Sequence, residues 1–324
     1  MKATNETVPR ILQTLLRLRR PHGSVEETIA GQTVLDYVSA YPWVSASTDK
    51  HGNIVCQIGK DNGVVFTAHL DTVHNSAGTQ ELFVLELEQG MFLGAEHLGK
   101  ESVLGADDAA GIYLLMELMQ AQVQGKYMFF VGEECGGIGS SAYVQDNPKF
   151  SANMVVSFDR RGTHSVITHQ GGWRTCSDEF GNALAKQLNK HGKGKLAYRT
   201  DDAGLYTDSR EFAEMVAECT NISVGYYHEH TAKETLNLTH LLALRDAILL
   251  VDWMALPVQR VPAPDVLWDT YSFGRSSAWY DVPDTGAAEL QNDVRTYLDK
   301  NWDTVDAKLR QLLLDMEAYL NEQV

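Results

Sequence analysis

"VVFTAHLDTV", residues 64–73, is a nearly continuous apolar run that ends on His69 and Asp71. A run with no polar alternation is typical of a strand that is buried on both faces, as in a parallel sheet. Residues two apart in an extended chain point to the same side, so Asp71 can support the imidazole of His69. The segment therefore predicts an interior strand that carries two polar side chains at its end.

Four other segments repeat this combination of an apolar element and ionisable residues. They are "GADDAAG" (105–111), "GEECGG" (132–137), "SFDRRG" (157–162) and "YYHEH" (226–230). Apolar strands that alternate with helical patterns predict an α/β fold with a largely parallel sheet. Such sheets place their sites at the carboxyl ends of the strands, which is where these residues fall.

The elements before the second motif can be assigned from periodicity and turn residues. Residues 8–20 predict an amphipathic helix, and residues 24–41 predict a second helix that begins with Ser24 and Glu27 as a capping box. Residues 53–58 and 64–68 predict two strands joined by a polar turn at Asn62-Gly63. Residues 82–99 predict an inserted hairpin.

The amino-acid composition of the sequence changes after Pro257. Residues 1–257 predict one main domain, and residues 258–324 predict a linker with prolines and aromatics that is followed by a helical C-terminal extension. The apolar positions of this last helix lie on one stripe: Val305, Leu309, Leu312, Leu313, Met316 and Leu320. The stripe predicts packing on the main domain, with a homo-oligomer through this helix as the alternative.

Charge and cysteine usage exclude several classes of function. The formal net charge is -16, with 43 acidic and 27 basic residues, so neither a nucleic acid nor an anionic membrane is an expected partner. The sequence has no 18-residue apolar stretch, and its N-terminus is unlike a secretory signal. The four cysteines are widely separated and are expected to be reduced thiols. These features predict a cytoplasmic protein.

The strand ends together carry many ionisable side chains. They are His69, Asp71, Asp107, Asp108, Glu133, Glu134, Asp159, His228 and His230. Any one motif has a purely structural explanation, such as Asp108 capping a helix. Six carboxylates in one crevice, however, would repel one another and lose hydration unless cations neutralised them. Imidazole and carboxylate ligands without thiolate favour Zn²⁺, with Co²⁺ or Mn²⁺ as substitutes.

The motifs resemble those of the co-catalytic dizinc exopeptidase superfamily, which includes peptidase T, the zinc carboxypeptidase and acylase group, and bacterial zinc aminopeptidases. The similar segments are "HLDTV", "VLGADDAAG", "GEECGGIGS" and "HTAKETLNL", within about residues 10–255. This resemblance implies a three-layer α/β/α sandwich around a mixed, mostly parallel sheet. Only 70 residues separate Asp159 from His230, which implies a catalytic domain without an added lid.

The resemblance also implies a role for each site residue. His69 and Asp159 would bind one zinc ion, Glu134 and His230 would bind the other, and Asp107 would bridge them. Asp107 is preferred to Asp108 because the family's bridging aspartate lies four residues before a glycine, and His230 is preferred to His228 because Glu234 has the matching offset. Asp71 would support His69, and Glu133 would act as the general base.

The activity implied is hydrolysis of peptide bonds by two Zn²⁺ ions, most simply by an aminopeptidase acting on short peptides. The alternatives are a carboxypeptidase, a dipeptidase or an N-acyl amino acid deacylase, in which Arg160 or Arg161 would bind a substrate carboxylate. His228 is a further candidate substrate contact. A non-catalytic binding module and a single-zinc cyclase on the same fold are weaker alternatives, since no ligand is missing.

Overall fold

The computed structural model describes residues 8–88 and 90–262. The helices are α1 (Arg10–Leu16), α2 (Val25–Ser39), α3 (Ala106–Gln120), α4 (Ile138–Asp146), α5 (Asp178–His191) and α6 (Leu238–Ile248), with 3₁₀ turns at Asp208–Phe212 and Trp253–Ala255. The strands are β1 (Leu18–Arg19), β2 (Val44–Thr48), β3 (Ile54–Ile58), β4 (Val64–His69), β5 (Gly78–Thr79), β6 (Glu81–Leu87), β7 (Gly90–His97), β8 (Lys100–Ser102), β9 (Gly125–Phe130), β10 (Met154–Arg160), β11 (Ser165–Ile167), β12 (His169–Gln170), β13 (Trp173–Arg174), β14 (Arg199–Asp201), β15 (Glu218–Ser223), β16 (Tyr226–Tyr227) and β17 (Thr235–Asn237).

The main sheet has eight strands in the order β14-β11-β15-β10-β4-β9-β3-β2. The four strands in its centre, β15, β10, β4 and β9, are parallel to their neighbours within this group. The pairs β11–β15, β9–β3 and β3–β2 are antiparallel, so the sheet is mixed. Every residue of β4 is buried, which confirms the prediction from its apolar run.

Helices cover both faces of this sheet because β4 presents apolar side chains to each side. Phe66 and Ala68 belong to the larger core, which includes residues of α1, α2, α3, α5 and α6. Val65 faces the opposite way and packs in a smaller core with Phe130 and Phe212, to which Tyr143 of α4 also contributes. This arrangement confirms the expected α/β fold with three layers.

The N-terminal segment differs in part from its prediction. The side chain of Ser24 accepts a hydrogen bond from the N–H of Glu27 at the start of α2, as expected. The first helix, in contrast, ends at Leu16 and does not continue to residue 20, because Leu18 and Arg19 pair with β5 and Arg20 turns inward with no exposed surface. The prediction of a single helix over residues 8–20 was therefore wrong at its C-terminal end.

The segments that connect the central strands form further strands and helices of the same domain. The predicted hairpin is confirmed as β6 and β7, whose small sheet also contains β16, β17 and β8. β3 and β4 follow one another in sequence, but β9 lies between them. Between β10 and β15 the chain adds β11 and β14 to the main sheet and α5 against it, so this segment contains no separate lid.

The first residues after Pro257 belong to the described part of the chain. Arg260 donates hydrogen bonds to the carbonyls of Ala217 and Val216, which joins this segment to the loop between the 3₁₀ turn and β15. The predicted helical extension lies outside the described residues, and the domain boundary at residue 257 stays a prediction. None of the described helices combines the length and apolar character needed to span a bilayer.

Candidate metal centre

The five predicted metal ligands lie together at the carboxyl edge of the parallel strands. His69 ends β4, Asp159 lies near the end of β10, and Glu134 follows β9. Thr67 of β4 pairs with Ser157 of β10, and His69 pairs with Phe130 of β9, so the strand register itself places these residues side by side. Asp107 comes from the first turn of α3, and His230 comes from the loop after β16.

Asp107 lies between the two imidazoles. Its Oδ1 is 2.9 Å from Nε2 of His69, and its Oδ2 is 3.3 Å from Nε2 of His230. The His69 nitrogen is also 3.7 Å from Oδ1 of Asp159, and the His230 nitrogen is 3.0 Å from Oε2 of Glu134. The donor atoms thus form two groups that share one carboxylate.

Asp71 and Asp108 bind main-chain N–H groups at the edge of these two groups. Asp71 accepts from the N–H of Glu133 at 3.0 Å and of Glu134 at 3.1 Å, and its Oδ1 lies 3.3 Å from Nδ1 of His69. Asp108 accepts from the N–H groups of His69 and Gly111. The oxygens of both residues are therefore occupied in holding the chain that carries the ligands.

Burial and mutual repulsion make Glu133, Glu134 and Asp159 costly to ionise without a cation. Burial, followed by the charge of Asp107, raises the pKa of Glu134 to about 7 and that of Asp159 to about 6. Burial also raises the pKa of Glu133 well above its ordinary value, and the charges of Asp159, Asp208 and Glu134 add to the increase. A bound cation would therefore lower the electrostatic cost of ionising these carboxyl groups.

An open cavity of about 100 Å³ adjoins the ligand atoms. Glu133 lies in its wall, and Arg160 and Arg161 also line it. Arg160 donates to the carbonyl of Ala203, and Arg161 forms an ion pair of 3.0 Å with Glu229. The structure does not bring His228 into this group, since it is not part of the cavity wall.

A comparison with models of protein families gives one match over the centre of the chain. The model described as Peptidase family M28 matches residues 53–251. The chain belongs to peptidase family M28. The match contains the complete predicted ligand set, from His69 to His230, and family M28 is zinc-dependent. The protein is accordingly a zinc metallopeptidase.

Solved structures with the same fold come from bacteria and archaea. A tripeptidase from Staphylococcus aureus is 13% identical, with a TM-score of 0.60 over 77% of this M28 chain and 98% of its own. Aminopeptidase PepT from Bacillus cereus is 13% identical, with a TM-score of 0.56 over 74% and 95%. The TET1 peptidase of Pyrococcus horikoshii is 16% identical, with a TM-score of 0.50 over 71% and 94%. No curated protein sequence matches the chain significantly.

The residues of this M28 site suit zinc. The buried Oε1 of Glu134 has no hydrogen-bond partner among the described residues, although an ionised or neutral carboxyl oxygen at such a position normally has one. Nitrogen from imidazole and oxygen from carboxylate are ordinary zinc donors. Within the described chain, His69, Asp107 and Glu134 each offer a donor atom within 4.8 Å of the others, and so do His69, Asp108 and Asp159.

Arg20 is a part of the M28 site that sequence reasoning missed. Its guanidinium is fully buried and donates to the carbonyls of Leu70 and Leu15 at 2.8 and 2.7 Å. Burial lowers its pKa to about 10, against the opposing effect of Asp71, Asp108 and other nearby carboxylates. Nothing in the "LRLRRPHG" segment distinguishes this arginine from its neighbours, because its burial depends on a chain turn that no local pattern predicts.

The shell around Asp159 was also missed. Both of its carboxylate oxygens accept hydrogen bonds, Oδ2 from the hydroxyl of Thr207 at 2.7 Å and Oδ1 from that of Tyr226 at 3.0 Å. The Asn221 side chain accepts from the N–H of Asp159 and donates to its carbonyl. Tyr226 lies just before the predicted histidines His228 and His230. This proximity is the sequence feature that could have indicated its place in the site.

Proposed function

We propose that this M28 chain is a dizinc aminopeptidase that cleaves short peptides. The position of Asp107 carries the proposal, because each of its oxygens faces a different imidazole and each imidazole has a second carboxylate beside it. His69 and Asp159 would hold one ion, Glu134 and His230 the other, and Asp107 would bridge them. When bound, zinc polarises the scissile carbonyl and makes water more acidic.

Glu133 would move the proton in this reaction. Its side chain lies in the cavity wall next to the ligand atoms, and its N–H is fixed by Asp71. From there the carboxylate would accept a proton from the attacking water and deliver it to the leaving nitrogen. Asp71 would contribute by orienting His69 and the turn that carries Glu133.

The preference for a free amino terminus rests on the charge of the cavity. Glu229 lines it and is assigned neither to zinc nor to proton transfer, so its carboxylate could bind a substrate ammonium group. The fold is shared with proteins described as an aminopeptidase and a tripeptidase. One observation favours the alternative of a carboxypeptidase, dipeptidase or deacylase: Arg160 and Arg161 line the same cavity, where they could bind a carboxylate.

A substrate panel with added zinc or cobalt distinguishes these possibilities. It contains aminoacyl anilides, free dipeptides and tripeptides, N-blocked peptides and N-acyl amino acids. We expect hydrolysis only where the amino group is free, together with about two zinc ions per chain by elemental analysis, which follows from a two-metal site. Rapid cleavage of N-acyl amino acids would favour the deacylase instead.

The variant E133Q tests the general base. We expect it to bind as much zinc as the wild type. Its kcat should fall by about 10²–10⁴-fold, which is the usual contribution of a positioned base. KM should change little, because the cavity keeps its shape. Substantial turnover by E133Q with full zinc content would exclude Glu133 from this role.

Two further expectations belong to the proposal. The Pyrococcus horikoshii TET1 peptidase is described as assembling into a tetrahedron or an octahedral shell, and this favours the alternative that the present chain forms a homo-oligomer through its predicted C-terminal helix. Light scattering of the full chain should give a multiple of 36.0 kDa, and a monomer would contradict it. A cytoplasmic location remains a prediction, which the buried thiols of Cys56, Cys176 and Cys219 support.

A further inference from the structure

The carboxylate of Glu27 does not complete the predicted capping box. The hydroxyl of Ser24 accepts from the N–H of Glu27 at 3.1 Å, which is half of that motif. The N–H of Ser24, however, donates to the carbonyl of Pro21, so it is not available to Glu27. Oε2 of Glu27 accepts instead from the N–H of Gly23 at 2.7 Å, and Oε1 accepts from the N–H of Gly132 at 3.2 Å.

Gly132 directly precedes the proposed general base. The next two N–H groups, of Glu133 and Glu134, donate to Asp71. Three consecutive N–H groups of this turn are thus bound by two buried carboxylates, one from α2 and one from the end of β4. Glu27 holds the first peptide unit of the turn, and Asp71 holds the next two.

Close packing at Gly132 keeps this contact in place. Gly132 has a φ of +65°, and a Cβ at this position would lie 2.9 Å from Cε1 of His22. Nδ1 of His22 in turn lies 3.1 Å from Oε1 of Glu27. Glu27 is only 5% exposed, and a hydrogen bond from a main-chain N–H to a buried carboxylate is among the stronger kinds.

We propose that Glu27 is a positioning residue for Glu133 and acts through the N–H of Gly132. His22 keeps the Glu27 carboxylate directed at this N–H. The inference rests on the proposed function, since it gives Glu133 a place to be held for proton transfer. Displacement of a reacting group by about 1 Å can reduce a rate by about 10²-fold, so one such hydrogen bond is enough to matter.

The competing explanation is that Glu27 only stabilises the start of α2, and Ser24 provides the matched control. S24A removes the hydroxyl cap of the same helix without touching Gly132. E27Q keeps the side-chain shape but has a single acceptor oxygen, so it cannot accept from the N–H groups of both Gly23 and Gly132. Both variants are made in the full chain, and unfolding, zinc content, kcat and KM are measured for each.

If Glu27 positions the base, E27Q should lose kcat by about 10–100-fold at unchanged zinc content, the range typical for groups that orient a metal site, with KM within about threefold. S24A should become less stable and keep kcat within about twofold of the wild type. Equal kcat in the two variants would overturn the proposal, and so would a loss in E27Q that appears only in proportion to lost zinc.

A second measurement does not depend on activity. Amide hydrogen exchange of zinc-free protein, followed in the peptide covering residues 130–139, should be faster in E27Q than in the wild type and unchanged in S24A. Unchanged exchange in E27Q would overturn the proposal, as would faster exchange with full kcat. A wild-type chain that cleaves nothing in the substrate panel refutes the proposed function, which is recognisable before either variant is assayed.

Discussion

Besides Asp108, three buried carboxylates close to the metal centre bind main-chain N–H groups. Glu27 and Asp71 hold the turn after β9, and Glu234 holds the loop before α3. Glu234 is 2% exposed and accepts from four consecutive N–H groups, those of residues 104–107, at 2.9–3.2 Å. It lies four residues after His230, so it connects the segments that carry two of the proposed ligands.

The variant E234Q should weaken zinc binding by about 10–100-fold, as is usual when a group that orients metal ligands is changed. The physical reason is that an amide NH₂ would face N–H donors where an oxygen now accepts from them. Competition with a chromogenic chelator measures the zinc affinity of the folded variant.

E101Q is the matched control, since Glu101 is an exposed residue of β8 and its substitution removes the same charge from the surface. Its zinc affinity should equal that of the wild type. If E234Q also binds zinc normally, then the loop before α3 holds its shape without Glu234.

Among the elements, α3 packs tightly against the sheet at the site through Gly111. A Cβ on Gly111 would lie 2.5 Å from the carbonyl oxygen of Phe158 and 2.5 Å from the carboxylate oxygens of Asp108. Phe158 is the residue before Asp159, so the spacing between α3 and β10 sets the distance between Asp107 and Asp159. Only glycine fits this contact.

G111A should lower the free energy of unfolding by about 1–3 kcal/mol, the usual cost of overpacking, and should reduce zinc affinity. G31A in α2 is the comparison, because its Cβ would meet only the flexible ends of Ile54 and Leu70 at 3.2 and 3.4 Å. There the better helix propensity of alanine should leave stability within about 1 kcal/mol of the wild type. Chemical denaturation measures both, and equal effects would refute the steric explanation.

Strong local patterns explain which elements were predictable. β4 and the start of α2 could be read from the sequence because an unbroken apolar run and an N-cap serine each have a local cause. β2 has the polar sequence "VSAST" and is mostly exposed. It therefore shows no alternation of apolar and polar residues and was not predicted. The insertion of β9 between β3 and β4 is a long-range pairing, which neither strand encodes alone.

At the scale of the whole molecule, burial of neutral histidines makes global stability depend on pH. Burial lowers the pKa of His240 to about 4, and its Nε2 lies 2.9 Å from the hydroxyl of Tyr198. In the unfolded chain a histidine titrates near 6.5. The unfolded state therefore binds a proton that the folded state does not bind between these values, and stability is lost as pH falls from about 6.5 towards 4.

The variant H240Q should remove the proton uptake by residue 240 on unfolding, and with it this part of the pH dependence of stability. Between pH 7 and pH 5 the wild type should lose about 1–2 kcal/mol more unfolding free energy than H240Q does, although H240Q starts less stable. Urea denaturation at several pH values gives both curves. Parallel curves would mean that His240 titrates in the folded protein as it does in the unfolded chain.

The site was predictable to the extent that its groups follow strands. His69, Asp107, Glu133, Glu134, Asp159 and His230 all lie where an α/β sheet collects functional residues. Arg20 and the contact from Glu27 to Gly132 were not predictable, because they join segments 50 and 105 residues apart through buried main-chain groups. Such contacts have no sequence period, and only the folded chain brings them together.

The family match begins at residue 53, but Arg20 and Glu27 lie before it. Both contact the core of the site from the N-terminal side, Arg20 through Leu70 and Glu27 through Gly132. A fragment cut at the limits of the family match would keep every proposed ligand and lose two of the groups that support the site, Arg20 and Glu27. The part of the chain that is needed for a well-ordered site is therefore larger than the family match. A fragment made for expression should begin before α1.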